Sequence, residues 1–179
     1  MKITNFSAVL ALFFGILFLA GEPVFAQRKK PAKRVSTATA DNNPTKNGIR
    51  LKATGFKISE AYLVFDDENL VAEGNKVNVG QNVNMVLIIE GGWNETGGRV
   101  FPGSSQVIKL NNGKEISNPE DLFAAFDETG VSTEEARYIT LNASVTDAKY
   151  SKNSVTVNFR VWDKKGSGEI TGSYKLNMN

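Results

Sequence analysis

From Leu51 onward, apolar residues return at every second position in short runs parted by polar turns. A period of two belongs to strands, whose side chains alternate between two faces. The pattern is cleanest in the last third. There Ile139, Leu141, Ala143 and Val145 form one set, Val155, Val157, Phe159 and Val161 a second, and Ile170, Gly172, Tyr174, Leu176 and Met178 a third, interleaved with Thr, Asn, Ser, Lys and Arg. These read as half-buried antiparallel strands. Residues 56–65 (FKISEAYLVF) form an earlier strand, with Ser59 and Glu60 placed for a bulge. In residues 82–90 (NVNMVLIIE), Val83, Met85, Leu87 and Ile89 share one face while Val86 and Ile88 make the other half apolar. That double-sided character predicts a central strand. Asn111, Asn112 and Gly113 supply a hairpin turn, and residues 163–168 (DKKGSG) close the last two strands.

One stretch breaks the alternation. Asn118 as cap, Pro119 at the first helical position, Glu120 and Asp121 against the dipole, the apolar side of Leu122, Phe123 and Phe126, and Gly130 as stop predict a short helix crossover near 119–128. Ser132 with Glu134 and Glu135 predicts another helical turn. Seven to eight strands and one short crossover make residues 51–179 an all-β domain, an antiparallel β-sandwich of immunoglobulin-like build. A jelly roll or small barrel uses the same ingredients.

The N-terminus carries a different signal. Lys2, an apolar run over residues 8–20 and a polar exit at residues 21–26 (GEPVFA), with Val24 and Ala26 at a small-residue cleavage site, read as a signal peptide over 1–26. Pro23 stops the apolar helix, and the run is short for a bilayer span. The expected destination is the periplasm or the exterior of a bacterial cell. Residues 27–50 hold seven Lys and Arg against Asp41 alone, a net +6, whereas residues 51–179 hold 13 against 17 Asp and Glu, a net −4. With Val35 and Ile49 its only large aliphatics, this basic segment is expected to be a disordered linker. Its cluster of Arg28, Lys29, Lys30, Lys33 and Arg34 offers weak contact with an anionic surface. With no aromatic among these cations to stack on bases, nucleic acid is a poor partner.

Composition then narrows the chemistry. The 179 residues include no Cys and no His, which removes disulfides, thiolate nucleophiles, the usual zinc sites and the commonest general base. Carboxylate pairs such as Glu90 with Glu95, or Glu134 with Glu135, are what a small exported hydrolase would have to use, with or without a metal-bound water. Candidate contacts for a ligand or partner are Trp93 and Arg99, in the glycine-rich loop of residues 90–99 (EGGWNETGGR), and Arg160 with Trp162, on the polar parity of their strand. Asp66, Asp67 and Asp163 are candidate oxygen ligands for Ca²⁺ in two loops, and no other cofactor is implied. The expectation is an exported, noncatalytic binding domain that meets a protein or an envelope polysaccharide through its loops or a sheet edge.

Overall fold

The computed structural model describes residues 44–116, 120–151 and 153–179. The expected signal peptide, residues 1–26, and most of the basic segment, including Arg28 to Arg34, lie outside them. The described residues form eight strands in two mainly antiparallel sheets, with few helical turns. No helix among them is long and apolar enough to cross a membrane.

The three-stranded sheet runs β2 (Lys57–Val64), β4 (Val83–Gly91), β6 (Tyr138–Ala143), with β4 in the middle as its two apolar faces require. The pairing of β2 with β4 slips between Ile58 and Glu60, the place of the expected bulge. The five-stranded sheet runs β1 (Arg50–Thr54), β8 (Glu169–Met178), β7 (Ser154–Asp163), β5 (Pro102–Leu110). The short β3 (Lys76–Val77) joins β8 in parallel beyond the end of β1.

The alternating sets meet between the sheets. Leu63, Met85, Leu87, Ile89, Ile139 and Leu141 face Val155, Val157, Phe159, Ile170 and Leu176 in one buried cluster. A fully buried aliphatic of this size contributes about 1.5–3 kcal/mol, so this cluster is the main source of stability. Gly172 is part of the fit. A Cβ there would lie 2.4 Å from the Phe159 ring and 2.5 Å from the Arg50 carbonyl oxygen, so any side chain would push β1 away.

Two expectations need correction. Residues 44–50, assigned to the linker, belong to the fold: Ala61 on β2 donates to the Pro44 carbonyl and accepts from the Lys46 N–H, each at 2.8 Å, and Ile49 is buried. A lone aliphatic in a polar segment is a weak core signal until its neighbour strand is known. The crossover is also not a full helix. Its described part is one 3-10 turn, Ala124–Phe126, while Asn118 and Pro119 lie outside the described residues. The Leu122 N–H donates to the Ser104 carbonyl on β5, and Phe123 is drawn into the core, so cross-strand contacts outcompete helical ones. The second turn does form, as α1 (Thr133–Ala136), with a capping box between Ser132 and Glu135.

Candidate functional site

Trp93 closes one end of the sandwich. The chain leaves β4 through Gly92, whose φ of 111° and contact with Gly55 admit no side chain, and the indole turns back onto Phe56, edge to face at 4.6 Å. It also touches the small cluster of Val100, Val131 and Ala136. Its Nε1 is buried and finds no acceptor among the described residues, so the ring is held by packing. The Asn94 N–H donates to the buried Asp163 carboxylate at 2.5 Å, tying this loop to the β7–β8 hairpin. Arg99 is equally occupied, reaching the Thr129 and Gly130 carbonyls at 3.1 Å where the crossover turns into α1.

Trp162 lies on the other side of its sheet from that packing, on the outer face of the five-stranded sheet. It fills the space left by Gly103 on β5, where a Cβ would fall 2.1 Å from the indole. Arg160 lies over its ring at 4.6 Å and pairs with Glu169. The two tryptophans are therefore not joined in one platform.

The acidic candidates are likewise apart. Asp66 accepts from Asn82 and Asn84 at the start of β4, and Asp67 from Asn69, whereas Asp163 bonds Asn94 beyond the other end of β4. Among the described residues no three acids gather as a metal would need. Glu90 forms an ion pair with Arg137 at 2.8 Å, and that bond holds its carboxyl below the usual range. Glu135 is used in the cap of α1.

A better-built ion pair network lies under the crossover. Lys164 binds Asp121 at 2.6 Å and also Asp127, while Asp121 accepts from the Ser104 and Phe123 N–H groups. Partial burial works against ionisation of both partners, but the bonds win: Asp121 titrates below its ordinary value and Lys164 above. The network pins residues 121–127 along the outer edge of β5.

That edge is one of four, and their treatment differs. On β5, Ser104 is engaged on both backbone groups, and Ile116 and Lys114 bond Ile108 and Leu110. On β2, residues 44–47 and Val71 bond Ala61 and Leu63. On β6, the Ile89 N–H donates to the Arg137 carbonyl at 2.8 Å, which sets the phase of the ladder. Ile139, Leu141 and Ala143 turn their backbone groups toward β4, and Tyr138, Thr140 and Asn142 turn theirs outward. Gln106 Nε2 reaches the Asn142 carbonyl at 2.7 Å; the outward backbone groups of Tyr138 and Thr140 have no partner among the described residues.

The chain matches no protein-family model and no curated protein.

The open edge was missed by the sequence reading because alternation tells which face is buried and not which strand stands last. One signal was present. Residues 138–145 (YITLNASV) contain no charge, Gly or Pro, whereas edge strands with nothing to meet are commonly guarded by such residues.

Proposed function

We propose that the protein is an exported, noncatalytic interaction domain of immunoglobulin-like build, and that the outer edge of β6 receives an extended segment of a partner protein. The observation that carries this reading is the uncharged edge at Tyr138 and Thr140, whose backbone groups have no partner among the described residues, beside the covered edges of β2 and β5. An added strand takes its affinity from main-chain hydrogen bonds and its specificity from alternate side chains, here Tyr138, Thr140 and Asn142. The order β2-β4-β6 in one sheet and β5-β7-β8 in the other supports the immunoglobulin-like assignment, because it matches the A-B-E and C-F-G pairings of that architecture.

The hydrolase alternative draws less support. Glu90, held ionised by Arg137, suits a fixed anion better than a proton donor, and Glu135 serves a helix cap. A photo-crosslinking residue placed at Thr140 in the source cells tests the proposal, with the exposed turn residue Lys114 as control. An adduct with another polypeptide at Thr140 and none at Lys114 is expected. Absence of any adduct at Thr140, or equal adducts at both positions, would refute it.

A further inference from the structure

The outer face of the five-stranded sheet carries a second surface whose charge is invisible in the acidic total of the domain. Lys52 stands opposite Thr171 on β8 and Arg50 opposite Ser173; Lys175 is the next outward residue of β8 itself, and Lys76 on β3 stands opposite Asn177. Paired residues of neighbouring strands share a face, so Lys52 and Arg50 on β1, Lys175 on β8 and Lys76 on β3 leave the same outer face at successive two-residue steps along β8. At two residues per step the spacing is about 6.8 Å and the row about 20 Å long. All four are exposed, and none has an ion-pair partner among the described residues. The nearest acid along β8, Glu169, is engaged by Arg160.

We infer that this row binds a linear anionic polysaccharide bearing carboxylates at sugar-repeat spacing. A row of exposed cations about 20 Å long meets several carboxylates of one extended acidic sugar chain at once. Thr171, Ser173, Thr156 and Asn158 line the row and offer donors and acceptors to sugar hydroxyls. Two competing polyanions fit less well. No aromatic stands on the row itself to stack a nucleic-acid base; Trp162, opposite Glu169 one step beyond Thr171, is packed on Gly103 and covered by Arg160. No large apolar side chain projects from the row to enter a lipid surface.

The test measures binding of the exported protein to polygalacturonate, to neutral dextran, to phosphatidylglycerol vesicles and to single-stranded DNA, at low and high salt. Polygalacturonate is expected to bind best and to be released by salt, since exposed charges are screened within about 10 Å at 0.1 M. The double variant Arg50→Gln/Lys175→Gln is expected to lose more than about tenfold in affinity, each cation near an anionic surface being worth about 1 kcal/mol. Both residues are exposed, so its thermal midpoint should not move. The variant Lys29→Gln/Lys30→Gln, in the basic segment, removes the same charge elsewhere and is expected to lose less than about twofold. Equal losses in the two variants, or vesicle or DNA binding as tight as polygalacturonate binding, would overturn the assignment.

Discussion

β1 and β6 both end their sheets with outward backbone groups that meet no partner among the described residues, yet they are built differently. On β1 the outward groups belong to Leu51 and Ala53, and the flanking Arg50, Lys52 and Thr54 project from the outer face. On β6 the flanking positions are Tyr138, Thr140 and Asn142. Charge beside an open edge discourages strand addition, because a second chain would have to seat against it. The same geometry is thus guarded on one side of the sandwich and left receptive on the other. Cations on β1 can serve both as guard and as contact for a polyanion, whereas β6 offers only a strand.

The strongest challenge to this comparison removes β1 altogether. Gly172→Val puts branched carbons where a single Cβ already approaches Arg50 and Phe159 too closely. Unfolding by urea should show a loss of about 3 kcal/mol, at the upper end of overpacking costs. A loss below about 1 kcal/mol would mean that β1 is not held as described.

Next in size is the tie that covers β5. Asp121→Asn breaks the pair with Lys164 while keeping the shape, and should cost about 2 kcal/mol, the scale for a charged hydrogen bond. It should also expose the β5 edge to hydrogen exchange at Ser104. The pH dependence has a definite sign. Asp121 titrates below its ordinary 3.8, so its contribution is complete above that value and lost as pH falls through the lowered value. Lys164 titrates above 10.5, so its contribution is complete below that and lost as pH rises through the raised value. Stability differences between wild type and Asp121→Asn should therefore be flat across the neutral range and shrink at both extremes.

Much of this was legible beforehand. The alternating sets of the last third became β6, β7 and β8 because a half-buried strand must alternate, and the double-sided residues 83–89 became the central β4 for the same reason. The crossover was not legible as a 3-10 turn: Asn118, Pro119 and Asp121 satisfy local helix rules, but Asp121 is spent on Ser104 and Lys164, partners distant in sequence. The cation row was hidden for a related reason. Lys52 and Lys175 are far apart along the chain, and only the antiparallel register of β1 on β8 lines them up.

Smaller effects sharpen the contrast between the edges. Thr140→Lys gives β6 the guard that β1 has. Stability should stay within about 0.5 kcal/mol, as for other surface changes, while crosslinking through a probe at Asn142 should vanish. Lys52→Thr does the reverse, and light scattering on heating should show earlier association with little change in the unfolding midpoint.

Amide hydrogen exchange of the isolated domain, read residue by residue along β6, tests the open edge most directly. The account predicts slow exchange at Ile139, Leu141 and Ala143, whose N–H groups face β4, and fast exchange at Tyr138, Thr140 and Asn142. Equal protection at all six positions would contradict it.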